Sequence, residues 1–370
     1  MIGRPRPEVT AATGYVPGKA KEAVQLATGV ADVLKLASNE RTAPPSERVA
    51  AAMAAAAKAT NRYPDHRAVS LRNALAAELS TASGTTVGIE SVAVSAGSSS
   101  LLMQLTSAYA GPGREVVYPW PSFEYYPILA DLSGAKSNVV PLQPDWGFDI
   151  DGLIGAVTPA TTLMFVATPN NPTGTAIAKS DLNRLLEAVP DDIIVVVDEA
   201  YREYVVPDLW DPVDLVTAHP NVVHLRTFSK AHALASARVG WCLAHPEVIE
   251  CIHATQTPFA VTTMALAGAE ASLGELEALK DHTGQTISER QRIVAALQSL
   301  GWTPPQSQEG NFVFLPTNDA TGLAGALETS GIIVRPFADT GIRATVGEPH
   351  ENDRFLDALS RLSPLSPVAP

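Results

Sequence analysis

Short runs of branched apolar residues recur along this chain, separated by stretches with helical periodicity, and that alternation restricts the fold more than any other feature. The runs Leu163 to Val166, Ile193 to Val197, Val222 to Leu225 and Val239 to Leu243 contain no Asp, Glu, Lys or Arg. Segments of that length and composition suit strands covered on both faces, as in a largely parallel sheet. Parallel neighbours need crossovers, and the intervening residues can supply them as helices. Leu71, Leu75 and Leu79 fall on one helix face. Val92-Ala93-Val94 reads as a short strand continued by a helix through Leu101, Leu102, Leu105 and Tyr109. Ser180 is placed to cap a helix carrying Leu182, Leu185 and Leu186.

The alternation predicts an α/β domain over residues 31–258. Near 258 the texture changes to a long helical region reaching Leu300, followed by strands at Phe312 to Leu315, Ile332 to Val334 and Ile342 to Val346. We read residues 259–370 as a second, smaller α+β domain, which suits a chain of 370 residues. Residues 1–30, with Pro5, Pro7, Gly14, Pro17 and Gly18, read as an irregular arm followed by a short periodic stretch, of the kind that packs on a partner subunit.

Composition narrows the function. Hydrophobic residues make up 46% and charged residues 18%, which suits a packed globular body. A net charge of -13 argues against a nucleic-acid partner, which requires clustered Lys and Arg. No run of about 18 apolar residues suggests a membrane span, and the first residues lack the apolar core of a secretory signal. Cys242 and Cys251 make neither a disulfide framework nor a zinc pattern, and read as packing residues. A cytoplasmic protein without a metal is the expectation.

Chemistry-bearing residues cluster just past the strand ends, where open α/β sheets bind ligands. Thr227-Phe228-Ser229-Lys230 follows one apolar run, with Arg238-Val239-Gly240 eight residues later. A lysine amine there can condense with an aldehyde and move a proton, provided its surroundings keep part of it neutral. By itself it would be an ordinary solvated lysine. Asp198-Glu199-Ala200-Tyr201 closes another run, either as solvated acids or as a buried aspartate able to keep a pyridine nitrogen protonated. Asn170-Asn171-Pro172-Thr173-Gly174 is a turn, or a turn in which Asn171 donates to a phenolic oxygen. Gly97-Ser98-Ser99-Ser100 opens a helix whose free N–H groups favour a phosphate, with Ser229 and Arg238 able to complete the cup.

Together these ordered segments resemble the fold-type I aminotransferases, in the branch of histidinol-phosphate and aromatic amino acid enzymes. The likeness extends to Tyr15-Val16-Pro17-Gly18, Leu36-Ala37-Ser38-Asn39-Glu40, Asn61-Arg62-Tyr63-Pro64-Asp65 and Ile342-Arg343-Ala344-Thr345-Val346-Gly347. It implies a large domain with a mostly parallel seven-stranded sheet flanked by helices, a smaller C-terminal α+β domain, pyridoxal 5'-phosphate as cofactor and a homodimer. It further implies Lys230 as the residue that carries the cofactor and moves the substrate proton. Asp198 would meet the ring nitrogen, Asn171 and Tyr201 the ring oxygen, and Phe123 the ring face. Ser98, Ser99, Thr227, Ser229 and Arg238 would hold the phosphate, with Tyr63 reaching in from the other subunit. Tyr15 and Asn39 would border the substrate, and Arg343 would grip its carboxylate in a fork. Two departures stand out: Ser98-Ser99-Ser100 replaces the branch's Ala-Asp-Glu, and His232 stands where the branch has a tyrosine.

The resemblance places Arg335 where histidinol-phosphate enzymes meet the substrate phosphate, yet it could equally pair with a glutamate side chain. The segment Trp120-Pro121-Ser122-Phe123-Glu124-Tyr125-Tyr126 looks more like the actinobacterial aromatic subgroup. The expected reaction is therefore transamination between an aromatic L-amino acid and 2-oxoglutarate. Histidinol-phosphate transamination is the alternative, and threonine-phosphate decarboxylation a third reading. A ligand-sensing regulator built on this scaffold would need a helix-turn-helix, for which the proline-rich arm leaves no room.

Overall fold

The computed structural model describes residues 3–206 and 209–362. The arm carries two short helices, Pro7–Ala11 and Lys21–Thr28. Pro7 occupies the first turn of one, and Gly29, with φ 74°, ends the other. A two-residue strand follows, β1 (Leu34–Lys35).

Seven strands then build the central sheet: β2 (Val92–Ser95), β3 (Glu115–Trp120), β4 (Lys136–Pro141), β5 (Thr161–Ala167), β6 (Ile194–Asp198), β7 (Val222–Thr227) and β8 (Gly240–Leu243). Their order is β2-β8-β7-β6-β5-β3-β4, all parallel except β8, which runs antiparallel to both its neighbours. The apolar runs read from the sequence are four of the five inner strands, β5, β6, β7 and β8. Alternation divides their side chains between two layers: Leu163, Phe165, Ile194 and Val196 enter one core, while Met164, Val166, Val195 and Val197 enter another. Burial of each such side chain contributes about 1.5–3 kcal/mol. Strands β3 and β4 escape the sequence pattern because Pro119, Lys136, Ser137 and Asn138 interrupt it. The helix Lys179–Ala188 buries Leu182, Leu185 and Leu186 as expected, but Ser180 is not its cap. The chain leaves the extended conformation at Ala178 (ψ 147°), so Ser180 lies within the first turn.

Just past residue 258 the chain still packs on the N-terminal helices. Helix Thr263–Leu273 lies against helix Glu47–Ala56, and Ala265 and Ala269 share a core with Val49, Leu71 and Leu75. Small residues permit this approach; a Cβ on Gly268 would fall 2.8 Å from Met53 Cγ. The C-terminal core begins instead with the 24-residue helix Leu276–Ser299 and takes in Leu34 and Leu36 from the N-terminal side. Its strands are β9 (Phe312–Pro316), β10 (Ile332–Ile333), β11 (Arg335–Phe337) and β12 (Gly341–Thr345). Strands β11, β12 and β9 form an antiparallel sheet in that order, and β1 pairs with β10 in parallel. Among the described residues no helix is long and apolar enough to cross a membrane.

Candidate active site

The carboxyl ends of β2, β3, β5, β6 and β7 lie along one edge of the sheet, and the reversed β8 starts there. That edge and the C-terminal unit enclose a cleft of about 440 Å³. Its lining includes Tyr15, Asn39, Ser98, Ser99, Phe123, Asn171, Asp198, Tyr201, Thr227, Ser229, Lys230, Arg238, Arg335 and Arg343, which unites all the sequence-derived site residues except Tyr63. Tyr63 is 81% exposed and stacks on Phe259, with ring centroids 4.5 Å apart.

Asp198 ends β6 almost fully buried. Its Oδ2 accepts a hydrogen bond from Tyr126 Oη at 3.0 Å, while its Oδ1 is buried and has no partner among the described residues. Burial raises its pKa to about 6 with help from Glu199, against hydrogen bonds from Tyr126 and the Ala200 N–H. Next to it, burial would raise the Glu199 carboxyl, but His224 at 2.5 Å and Arg202 at 2.6 Å hold it at about 2. The adjacent acids thus separate into an ion-paired carboxylate and one left for a ligand.

The Lys230 amine donates to the Ser38 carbonyl at 3.1 Å and lies 5.8 Å from the Tyr201 ring centre. Burial, then Arg343 and Arg238, lower its pKa to about 7, with Glu40 opposing. A large fraction is therefore the neutral nucleophile near neutrality. Tyr201 accepts from Asn39 Nδ2 at 2.9 Å, and burial raises its phenol. Asn171 Oδ1 is bonded by Arg343 Nη1, which leaves its amide donors for a ligand.

An anion cradle lies at the start of helix Ser98–Tyr109. Gly97 adopts φ +85°, and a Cβ there would sit 2.4 Å from Arg238 Nη2. A Cβ on Gly240 would meet the Ser98 nitrogen at 2.4 Å. Only glycine lets Arg238 and the helix N-terminus close on one point. Arg238 Nη1 bonds the Ser229 hydroxyl at 3.3 Å, and Thr227 Oγ1 lies 3.0 Å from the same hydroxyl.

On the C-terminal side, Arg335 and Arg343 are cross-strand partners on β11 and β12. Arg343 donates to the Ala37 carbonyl at 2.7 Å and lies between the Phe312 and Phe337 rings, 5.6 and 5.5 Å from their centres. Its buried Nε has no partner among the described residues. Arg335 Nη2 donates to both carboxylate oxygens of Glu124, at 2.8 and 2.7 Å.

Sequence reasoning missed Tyr126 as the partner of Asp198, the Ser38 carbonyl and Glu124. Tyr126 follows Phe123 by three residues at the start of helix Tyr125–Ser133, a spacing that could have placed both over one site. His232 does not line the cleft: it pairs with Ser272 at 2.6 Å and packs on Phe228.

An open α/β sheet with an amine, a free buried carboxylate and an anion cradle at its carboxyl edge defines the fold-type I class of pyridoxal-phosphate enzymes. The family described as aminotransferase class I and II matches residues 31–359, and the chain belongs to it. The chain is 43% identical over 357 residues to the aromatic amino acid aminotransferase of Mycobacteroides abscessus, covering 96% of this chain and 98% of that one. It is 47% identical over 324 residues to the enzyme of the same description from Thermobifida fusca, covering 87% and 88%. Among solved structures, histidinol-phosphate aminotransferase from Sinorhizobium meliloti in complex with pyridoxal-5'-phosphate superposes with a TM-score of 0.87 at 27% identity, covering 98% of each chain. The protein is a pyridoxal-phosphate-dependent aminotransferase.

The residues present fit that cofactor. The unpartnered Asp198 Oδ1 suits a protonated ring nitrogen, and the cradle that a Cβ at Gly97 or Gly240 would fill suits a phosphate.

Proposed function

We propose that the protein transfers the amino group of an aromatic L-amino acid to 2-oxoglutarate, using pyridoxal 5'-phosphate, as a cytoplasmic homodimer. One observation carries the mechanism: a half-neutral amine and an unpaired buried carboxylate share one cleft with an arginine fork. Pyridoxal phosphate, when bound, supplies a protonated ring that draws electrons from a bond at the substrate α-carbon.

Each residue then has a defined task. Ser98, Ser99, Thr227, Ser229 and Arg238 would hold the phosphate; Asp198 would keep the ring nitrogen protonated; Asn171 and Tyr201 would hold the ring oxygen; Phe123 would cover the ring face. The Lys230 amine would take the proton from the substrate α-carbon and pass it to the cofactor C4′. Arg343 would bind the substrate carboxylate; its hydrogen-bond partners among the described residues, Asn171 and the Ala37 carbonyl, are neutral. Asn39 fixes the Tyr201 hydroxyl, and Tyr15 borders the cleft mouth.

Support for an aromatic side chain comes from the rings of Tyr15, Phe123 and Tyr125 in the lining and from the relatives' described activity. Arg335 in the same lining is the observation that favours histidinol phosphate as the second reading. For the dimer, Tyr63 is an exposed aromatic on the described surface, suited to reach a neighbour's phosphate. Rates with phenylalanine, tyrosine and histidinol phosphate, each with 2-oxoglutarate, decide the substrate: turnover confined to histidinol phosphate overturns the aromatic reading. Sedimentation of a fully active monomer would exclude the dimer.

A further inference from the structure

We propose, on the reading of this cleft as an amino-acid transamination site, that Glu124 sets its side-chain preference. Its carboxylate occupies the guanidinium of Arg335. The cleft then takes a neutral aromatic side chain with that pair intact, and takes an anionic one only by displacing Glu124.

The two arginines of the cleft differ in what balances them. They sit directly opposite each other on β11 and β12, so their side chains share one face, where like charges repel. The partners of Arg343 are a side-chain amide and a backbone carbonyl, both neutral, so its charge remains available to a substrate carboxylate. Arg335 instead holds a full carboxylate through both oxygens, at 2.8 and 2.7 Å. The rings of Tyr15 and Phe337 lie 5.9 Å from its guanidinium carbon. This part of the cleft is therefore a closed ion pair among aromatic rings, which suits a flat uncharged group.

Glu124 is not committed elsewhere. It precedes helix Tyr125–Ser133 and makes no side-chain bond to that helix's first turn. The exposures also assign the moving part. The Glu124 side chain is 32% exposed and can turn out into water, whereas that of Arg335 is 10% exposed. The carboxylate is the gate and the arginine is the fixed post. A substrate dicarboxylate or phosphate competes with Glu124 for the same donors, and a phenyl or indole group does not.

The test compares the holoenzyme with Glu124→Gln and with Glu124→Gln combined with Arg335→Ala. Measured quantities are kcat/KM for phenylalanine, glutamate and histidinol phosphate, and binding of glutarate, a dicarboxylate without an amine, by calorimetry. In Glu124→Gln the glutamate-to-phenylalanine ratio should rise about tenfold, mostly through KM, and glutarate should bind tighter by a similar factor. Adding Arg335→Ala should cancel both gains. An unchanged ratio and unchanged glutarate binding, together with a lower Tm, would mean that Glu124 only relieves repulsion between the arginines, and would overturn the proposal. Failure of the aromatic reading looks different: the wild type would use histidinol phosphate alone, while Glu124→Gln still strengthened glutarate binding.

Discussion

On one wall of the cleft, Asp198, Asn171 and Lys230 stand at or just beyond the ends of adjacent parallel strands; on the other, Arg335 and Arg343 project from paired antiparallel strands. The first wall is fixed by a sheet buried on both faces, and each functional side chain comes directly from the strand or turn that carries it. Its polar atoms keep free valences, notably Asp198 Oδ1. The second wall is assembled across long separations: Arg343 meets Asn171 and Ala37, and Arg335 meets Glu124. On the proposed function one wall would hold the chemistry constant while the other adjusts to two substrates, so changes on them should separate into effects on kcat and on KM.

The largest effect should come from Lys230→Ala. It removes the group that accepts and returns the α-proton, and turnover should fall by roughly 10⁴-fold or more with the circular dichroism spectrum unchanged. Retention of more than a few per cent of the rate would place the proton on another residue and dissolve the contrast between the walls. Asp198→Asn follows, with kcat reduced roughly 10²- to 10³-fold. In the cofactor-free protein its Tm should stay level or rise, because a buried carboxylate with an unpartnered oxygen is replaced by a neutral amide. A fall in Tm would make Asp198 a structural acid.

On the opposite wall, Arg343→Lys should raise KM for every amino acid by roughly 10- to 100-fold with a smaller change in kcat, since an ammonium cannot form the fork. A loss confined to kcat would move Arg343 to the chemical wall.

The difference between the walls also explains what could be read from the sequence. Residues of the first wall lie in contiguous segments, Asn171 to Gly174, Asp198 to Tyr201 and Ser229-Lys230, so order and spacing along the chain reveal them. The same holds for strands β5 to β8, whose apolar runs follow from burial on both faces. Strands β3 and β4 carry no such signal. Tyr126 and Glu124 were visible as residues but not as partners: Tyr126 reaches Asp198 across 72 positions and Glu124 reaches Arg335 across 211. The boundary placed at 258 followed a change of texture. The helix beyond it is rich in Ala because it packs closely on Glu47–Ala56, and composition cannot say against which neighbour.

A subtler mark of the chemical wall is its pH dependence. Burial lowers the Lys230 amine from an ordinary 10.5 to about 7, so capture of pyridoxal phosphate by the cofactor-free protein should accelerate with pH through about 7. Below that midpoint the rate should drop about tenfold per pH unit, because only the neutral amine attacks. Stability has a linked sign. Between about 7 and 10.5 the unfolded chain keeps a proton that the folded amine has lost, so the cofactor-free protein gains stability as pH rises through that window. Lys230→Met should flatten this rise in Tm.

The smallest effect is expected at His232, only two residues from Lys230. Burial lowers its pKa to about 4, against the opposing charge of Glu203, so it is neutral throughout the working range. Its Nδ1 is engaged by Ser272 at 2.6 Å and its ring packs on Phe228 with centroids 4.6 Å apart. His232→Phe keeps the ring but leaves the Ser272 hydroxyl unpaired, which should cost about 1–3 kcal/mol of stability. kcat should change by less than about threefold, and both limbs of the pH–rate profile should stay in place. A shift of either limb would show that a proton passes through His232, and would extend the chemical wall beneath the lysine loop to Ser272.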